Sequence, residues 1–135
     1  MRYLLDTNIC SHFHRGTGAI AARLGELPEG AEFYLSVVVE GELLYGINHA
    51  APIARARLVQ AVGMVLRRAA DVLPVTRAVA DRYGRLKAEL AIRGSLIPSN
   101  DIWVAATALE AGLILVTDDA HFDRVQGLTV ENWLR

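Results

Sequence analysis

Several features that would place a chain in another class of protein are scarce in this sequence. It contains one cysteine, Cys10, so no internal disulfide can form, which agrees with a reducing compartment. No apolar run approaches the roughly 18 to 20 residues needed to span a bilayer, and Asp6 interrupts the first run too early for a signal peptide. Lysine occurs only once among 14 basic residues. From these absences we expect a cytoplasmic protein with no membrane association.

The apolar content of the chain is sufficient for one folded domain. Its 135 residues match the usual size of a single domain, so we expect one domain spanning residues 1–135. Hydrophobic residues make up 53% of the chain and charged residues 21%, with 11 glycines and four prolines. This composition is typical of a chain that is folded throughout.

The net charge of −1 conceals an uneven distribution of charge along the chain. Between Ala51 and Arg93, nine basic residues stand against three acids, which gives +6 for this segment and −7 for the remainder. A basic segment beside acidic flanks could contact a polyanion, and it could equally be a set of arginines on solvated helix faces. The segment from Arg55 to Arg93 is therefore a hypothesis for nucleic-acid contact.

Short apolar segments alternate with longer amphipathic ones. Apolar runs bounded by turn residues predict strands at residues 3–5, 33–35, 72–75, 113–116 and, at an edge, 128–130. Caps and periodicity predict helices at residues 18–27, 37–48, 52–70 and 77–93, and one that begins at 98–99 and ends at Gly112. This alternation predicts an α/β sandwich with a mostly parallel sheet of four to five strands.

Two of the predicted strands end in similar acidic sequences. The first strand stops at Asp6-Thr7-Asn8 and the fourth at Thr117-Asp118-Asp119. If these strands are adjacent and parallel, their acids lie at the edge of the sheet where α/β proteins place their sites. Glu42, on the helix after the second strand, and Asp101, in the first turn of the helix before the fourth, could join them there.

A bound cation is the simplest reason for carboxylates to cluster, because each one raises the pKa of its neighbours and opposes folding. Oxygen ligands of this kind suit Mg²⁺ or Mn²⁺, which can activate water for phosphodiester hydrolysis. Structural roles remain open as well, since Asp6 may cap a turn and Asp101 lies where a helix dipole favours negative charge. Glu40 competes with Glu42, because the two face different sides of their helix.

Five blocks of sequence, taken together, carry a family resemblance over nearly the full length of the chain. In order they are Leu4-Leu5-Asp6-Thr7-Asn8, Glu42-Leu43-Leu44-Tyr45-Gly46, Asn100-Asp101-Ile102-Trp103-Val104-Ala105-Ala106, Leu115-Val116-Thr117-Asp118-Asp119-Ala120-His121-Phe122 and Gly127-Leu128-Thr129-Val130-Glu131-Asn132-Trp133. In this arrangement the whole chain resembles a VapC-type PIN domain. The resemblance implies a three-layer α/β/α sandwich, Mg²⁺- or Mn²⁺-dependent endoribonuclease activity, and the role of toxin in a toxin-antitoxin pair.

The resemblance also implies which residues form the site. It assigns metal binding and catalysis to Asp6, Glu42, Asp101 and Asp119, with Thr7 and Thr117 as supporting hydroxyls. In the fourth block the family usually has Thr, any residue, then Asp, which favours Asp119 over Asp118, although relatives with Asn there make this acid the least fixed of the four. The implied partners are an RNA substrate, possibly a tRNA, a VapB-like antitoxin whose tail enters the acidic groove, and a second copy of the chain.

Other residues carry weaker signals. Cys10, His12 and His14 alternate along the chain and would not share one helical face, so a zinc site is not favoured. His121 could move a proton or touch a phosphate, although a surface or turn histidine is the favoured interpretation. No glycine-rich phosphate loop is present, and we expect no nucleotide cofactor.

Two other functions fit parts of the pattern. A phosphatase of the haloacid dehalogenase type would use Asp6 as a covalent nucleophile, but that chemistry typically needs a second aspartate where Asn8 stands. A PIN-like protein that binds RNA or an antitoxin without cutting is the main alternative. The complete set of acids argues against it, because a silent relative would be expected to have lost at least one.

Overall fold

A computed structural model of the protein describes residues 1–13 and 18–134. Within these residues, five strands form one sheet and six α-helices connect them, with a 3₁₀ helix near the end. The strands are β1 Arg2–Leu5, β2 Glu32–Ser36, β3 Val72–Leu73, β4 Ile114–Val116 and β5 Val130–Glu131. The helices are α1 Thr7–Cys10, α2 Ala19–Glu26, α3 Val37–His49, α4 Pro52–Arg68, α5 Arg77–Ile92, α6 Ser99–Ala111 and the 3₁₀ helix Ala120–Arg124.

All pairings within the sheet are parallel, and the strand order is β3-β2-β1-β4-β5. The chain builds one half of the sheet outward from β1 and then crosses to build the other half with β4 and β5. This reversal places a switch point between β1 and β4, where Leu5 pairs with Val116. In open α/β sheets the carboxyl ends of the strands form a crevice at such a point. The predicted α/β architecture is therefore confirmed, and so is the adjacency of the first and fourth strands.

The two central strands are buried because helices flank the sheet. Leu4, Leu5 and Leu115 have no exposed surface, as expected for uninterrupted apolar strands in a parallel sheet. Leu90 of α5 and Ile102 of α6 are equally buried, and these two helices pack against each other. The core thus fixes the positions of the strand ends from which the polar residues emerge.

Predicted helix ends agree with the structure to within about two residues. Ser36 caps α3, its hydroxyl accepting a hydrogen bond from the backbone N–H of Val39 at 3.1 Å. Gly112 ends α6 with φ of 67°, a left-handed conformation that costs glycine little. Among the described residues, no helix combines the length and the apolar character that a membrane span requires.

Four details differ from the sequence-based prediction. Helix α1 and the 3₁₀ helix were not predicted, because elements of four or five residues are too short to show a periodic pattern. β3 ends at Leu73, before Pro74, which has no N–H for a further hydrogen bond in the sheet. β5 begins at Val130, two residues later than predicted.

The burial of the central strands gives a testable prediction of stability. Leu115→Ala removes a side chain with no exposed surface from β4, and we expect it to lower the free energy of unfolding by about 2 to 5 kcal/mol. Urea denaturation measures this quantity. Leu44→Ala is a matched control on α3, where the leucine is 46% exposed, and it should change stability by about 0.5 kcal/mol or less. Equal losses in the two variants would contradict the described core.

Candidate active site

The carboxylate of Asp6 lies at the carboxyl end of β1 and is buried, with 6% of the residue exposed. Its Oδ2 accepts a hydrogen bond from Thr117 Oγ1 at 2.7 Å, and its Oδ1 accepts one from the backbone N–H of Thr7 at 2.8 Å. The backbone N–H of Asp6 donates to the carbonyl of Val116 at 2.9 Å and continues the pairing of β1 with β4. Asp6 is therefore fixed by the sheet and by both neighbouring polar segments. It also caps α1, as one of its sequence-based interpretations proposed.

Glu42 reaches the same region from α3. Its Oε1 accepts a hydrogen bond from Thr7 Oγ1 at 2.8 Å, although the two residues are 35 positions apart in the sequence. Thr7 thus contacts two acids, Asp6 through its backbone N–H and Glu42 through its hydroxyl. Glu40, the competing acid of this helix, lies in the first turn of α3.

A second hydroxyl links Asp6 to the acid after β4. Thr117 Oγ1 donates to Asp6 and accepts a hydrogen bond from the backbone N–H of Asp119 at 3.0 Å. Asp118 is oriented differently, because its Oδ1 accepts a hydrogen bond from Asn132 Nδ2 at 2.7 Å. Of the two adjacent acids, Asp119 is the one that the structure brings beside Asp101.

Asp101, in the first turn of α6, lies close to Asp119 and His121. His121 Nδ1 is 3.1 Å from Asp101 Oδ2 and 3.2 Å from Asp119 Oδ1. The backbone N–H of His121 also donates to Asp119 Oδ1 at 2.9 Å, so that Asp119 caps the 3₁₀ helix that carries the histidine. One potential ligand atom from each of these three residues lies within 4.8 Å of the others.

His121 lies in a 3₁₀ turn with 42% of its side chain exposed, in agreement with the favoured interpretation of a turn or surface histidine. The sequence did not predict that its side chain also contacts two of the candidate acids. A possible signal was its position two residues after Asp119, because an aspartate that caps a turn bonds to the backbone N–H of the second residue on. That geometry brings the second residue back beside the capping carboxylate.

Burial and like charges make the Asp6 carboxylate costly to ionise. The pKa of Asp6 is raised from 3.8 to about 6 in total; burial is the largest cause, and the negative charges of Asp101 and Glu42 contribute in the same direction. Hydrogen bonds from Thr117 and Thr7 act in the opposite direction. Because the charges of Asp101 and Glu42 act on Asp6, these carboxylates form one electrostatic cluster.

Asp101 shows the same pattern. Burial raises the pKa of Asp101 above its usual value, and the charges of Asp119 and Glu42 add to the shift, while the His121 side chain lowers it. A buried cluster of carboxylates with raised pKa values is common at functional sites. The cluster of Asp6, Glu42, Asp101 and Asp119 is hereafter called the acidic cluster.

The donor chemistry of the acidic cluster suits a hard divalent cation. Carboxylate oxygens from four separate segments converge, and burial raises the pKa values of two of them in a way that a positive charge would reverse. Mg²⁺ and Mn²⁺ prefer such oxygen ligands. The residues present therefore fit a divalent metal ion.

The residues considered for zinc have other surroundings. Cys10 is buried, and burial raises the pKa of its thiol, which disfavours the thiolate that binds metals. His12 Nδ1 donates to the backbone carbonyl of Asn8 at 2.8 Å. His14 lies outside the described residues.

The basic segment proposed for nucleic-acid contact is spread over both ends of the sheet. Arg68, at the end of α4, lies beside the amino end of β2, because it lines one cavity with Glu32 and Phe33. Lys87 of α5 lies at the other end, where its Nζ donates to Ser99 Oγ at 3.5 Å, two residues before Asp101. The net charge of the segment therefore does not describe one surface.

Comparison with known proteins identifies the family that has this fold. The family profile of the PIN domain matches residues 3–128. The chain belongs to the PIN-domain family. Its curated relatives include the tRNA(fMet)-specific endonuclease VapC of Shigella flexneri, 34% identical over 98% of this chain and 98% of that protein. Ribonuclease VapC2 of Haemophilus influenzae is 33% identical over 99% of both chains.

Solved structures give the same result. The chain resembles VapBC2 of Rickettsia felis, determined bound to a DNA fragment from its promoter, with a TM-score of 0.87 and 28% identity over 98% of this chain and 99% of that one. It also resembles VapBC-1 of nontypeable Haemophilus influenzae, with a TM-score of 0.84 and 26% identity over the full length of both chains. The resemblance inferred from the five sequence blocks is confirmed.

The raised pKa of Asp6 predicts how stability depends on pH. Because the folded-state pKa of about 6 exceeds the ordinary value of 3.8, ionised Asp6 costs stability, and the cost grows as pH rises from about 4 to about 6. Asp6→Asn removes this cost. With divalent ions chelated, we expect the variant to be more stable than the original protein by about 2 to 3 kcal/mol at pH 7.

Urea denaturation in EDTA between pH 4 and pH 8 measures the difference. At pH 4 it should be small, because the carboxyl of Asp6 is protonated in the folded state and only about half ionised in the unfolded state. A variant that is less stable than the original protein at pH 7, or a difference that does not change with pH, would contradict the prediction.

Proposed function

We propose that this protein is a metal-dependent endoribonuclease and the toxin of a VapBC-type pair, acting as a single domain over residues 1–135. The observation that carries the proposal is the acidic cluster at the switch point of a PIN-domain fold, in a chain whose relatives are named as ribonucleases. Carboxylates clustered at a sheet edge lower the stability of the fold, because their mutual repulsion opposes folding. Binding and hydrolysis of a phosphodiester give the cluster a function.

In this proposal Asp6, Glu42, Asp101 and Asp119 hold Mg²⁺ or Mn²⁺. When bound, the ion would supply an activated water at neutral pH and neutralise charge on the phosphate. The proposal requires no nucleophile from the protein. The side chains that surround the acidic cluster therefore act by holding its carboxylates in position.

The two threonines are proposed as the residues that orient the carboxylates. Thr117 Oγ1 holds Oδ2 of Asp6, while the backbone N–H of Thr7 holds Oδ1, so rotation of this carboxylate is restricted. The hydroxyl of Thr7 does the same for Glu42. Hydrogen bonds of this kind to ligand residues fix the geometry of metal sites and often affect their affinity strongly.

Lys87 is the basic residue best placed to contact the RNA strand. Its Nζ donates to Tyr83 OH at 3.2 Å and to Ser99 Oγ at 3.5 Å, and among the described residues no carboxylate forms an ion pair with it. Ser99 begins α6, which carries Asp101 two residues later. In this proposal the RNA phosphate next to the cleaved one contacts the ammonium group of Lys87, which is held by the neutral hydroxyls of Tyr83 and Ser99.

The partner in the proposal is a VapB-like antitoxin. The support is that solved relatives from Rickettsia felis and Haemophilus influenzae are described as VapBC complexes. Apolar side chains exposed on α3 and α4 offer a surface for a protein partner: Leu44, Tyr45, Ile53 and Val59. A homodimer and a transfer RNA substrate also belong to the proposal by family resemblance.

Cleavage assays with purified protein test the proposed activity. Total RNA and transfer RNA should give discrete products with Mg²⁺ or Mn²⁺ and none with EDTA. Asp6→Asn and Asp101→Asn should each reduce the rate by about 100-fold or more, because each removes a proposed metal ligand. Gel analysis of labelled RNA measures the rates.

Asp118→Asn is the control, since it removes the same charge from the residue beside Asp119 but preserves an acceptor for Asn132. It should cleave at close to the original rate. If it were as inactive as Asp119→Asn, the choice of Asp119 would be wrong. If the original protein bound RNA or an antitoxin but cut no RNA with either metal, the silent binding protein would replace the nuclease.

The position of Lys87 predicts a change in RNA affinity. The substitution Lys87→Ala is made in the catalytically inactive Asp6→Asn protein, so that RNA is bound but not cut. It should weaken the binding of single-stranded RNA. The slope of log K against log salt should fall in magnitude by about 0.7, because one phosphate contact is lost. Fluorescence anisotropy at several salt concentrations measures both effects. Arg68→Ala, which removes one charge at the opposite end of the sheet, should leave the slope unchanged. Equal effects of the two substitutions would refute a local contact.

A further inference from the structure

The side chain of His121 adds an imidazole nitrogen to a cluster otherwise made of carboxylate oxygens. Its Nδ1 lies 3.1 Å from Asp101 Oδ2 and 3.2 Å from Asp119 Oδ1. The three atoms lie within 4.8 Å of one another, and each belongs to a residue type that binds metal ions. No part of the proposed function so far uses this nitrogen.

These distances match the spacing of neighbouring ligands around an octahedral ion. Mg²⁺ and similar ions bind their ligands at about 2.0 to 2.1 Å in octahedral geometry, so adjacent ligand atoms lie about 3 Å apart. The separations of Nδ1 from the two carboxylate oxygens are close to that value. One ion could therefore be bound by all three atoms without a large movement of any of them.

The fold restricts His121 to this position. Asp119 caps the 3₁₀ helix by accepting a hydrogen bond from the backbone N–H of His121 at 2.9 Å. The next residue, Phe122, belongs to the hydrophobic core and is 1% exposed. These two contacts restrict the backbone at His121, and its ring, with 42% of the side chain exposed, lies beside the two acids.

We propose that His121 Nδ1 is a ligand of the divalent cation, together with Asp101 and Asp119, and that this nitrogen makes the site prefer Mn²⁺ to Mg²⁺. The inference rests on the metal site of the proposed function and specifies its ion. Mg²⁺ takes oxygen ligands almost exclusively and loses its waters reluctantly, whereas Mn²⁺ binds imidazole more readily. A ligand nitrogen must present its lone pair to the ion, so the proposal requires that Nδ1 carry no proton when the ion is bound.

The other explanation of the same distances is a hydrogen bond from Nδ1–H to the carboxylates. The two explanations predict effects of opposite direction when the ring is removed. If Nδ1–H is only a donor, an incoming ion must displace it, and its removal leaves metal affinity unchanged or increases it. If Nδ1 is a ligand, its removal weakens the binding of Mn²⁺ more than that of Mg²⁺.

Binding of Mn²⁺ and Mg²⁺ to the full chain, without RNA, distinguishes these cases. Electron paramagnetic resonance measures free Mn²⁺ during titration, and competition with Mg²⁺ gives the ratio of the two affinities. His121→Asn replaces the ring nitrogen by a carboxamide oxygen at a similar position. We expect it to lower the preference for Mn²⁺ by about tenfold or more while Mg²⁺ affinity changes less.

A spectroscopic readout tests the bond itself. Electron spin echo envelope modulation of bound Mn²⁺ should show coupling to one imidazole ¹⁴N in the original protein, and His121→Asn should abolish it. His49→Asn is the matched control, because His49 is an exposed histidine that stacks on Tyr45 on the distant part of α3. It should retain both the coupling and the affinity ratio.

Three results would overturn the inference. Absence of ¹⁴N coupling in the original protein, or an unchanged or higher Mn²⁺ affinity in His121→Asn, would assign the ring to hydrogen bonding alone. If Asp101→Asn still abolished binding of both ions, the metal site of the proposed function would stand without a nitrogen ligand. If the original protein bound neither ion, both the inference and the metal dependence would fall together.

Discussion

The hydrogen bond from Thr117 Oγ1 to Asp6 Oδ2, 2.7 Å long and buried, joins β4 to β1 at the point where the chain changes direction through the sheet. The same hydroxyl connects Asp6 to Asp119 on the other side of the acidic cluster. Thr117 also receives the backbone N–H of Asp119, which caps the turn that carries His121. A displacement of Thr117 would therefore reach Asp6 directly and Asp101 through three hydrogen bonds in series, by way of Asp119 and His121.

The apolar core maintains an arrangement that electrostatics alone would disperse. Burial and neighbouring negative charges raise the pKa of Asp6 to about 6. The same two causes raise the pKa of Asp101. The fold tolerates this free-energy cost because the carboxyl ends of the central strands, including Leu5 and Val116, are fully buried in a close-packed core that holds their polar ends together. A cation bound in the acidic cluster would reduce the repulsion between the carboxylates and so stabilise the folded protein. The repulsion that destabilises the free protein therefore favours cation binding.

Much of this arrangement could be predicted from the sequence, because the features concerned are local. Apolar runs that stop at Asp6 and at Thr117 fix where strands end, and the alternation of strands with helices fixes their parallel direction. The helix caps at Ser36 and Gly112 have well-known chemical causes. The short helices α1 and the 3₁₀ helix follow instead from capping aspartates and from packing of distant residues, which leave no periodic pattern. His121 acquires its position from such an element: its spacing from Asp119 is a signal for the contact with that acid, but the contact with Asp101 depends on the packing of a distant helix.

The basic residues show why a sum of charges along a segment gives little information about a binding surface. Several arginines are occupied within the fold: Arg55 and Arg93 donate to backbone carbonyls, and Arg82 forms an ion pair with Glu110. A guanidinium used in this way contributes to the net charge but has fewer donors left for a phosphate. Lys87, the only lysine in the sequence, is held by two hydroxyls close to α6, and neither hydroxyl neutralises it. The proposal that Lys87 contacts RNA therefore rests on its position and its neutral partners, and the net charge of the segment adds no support to it.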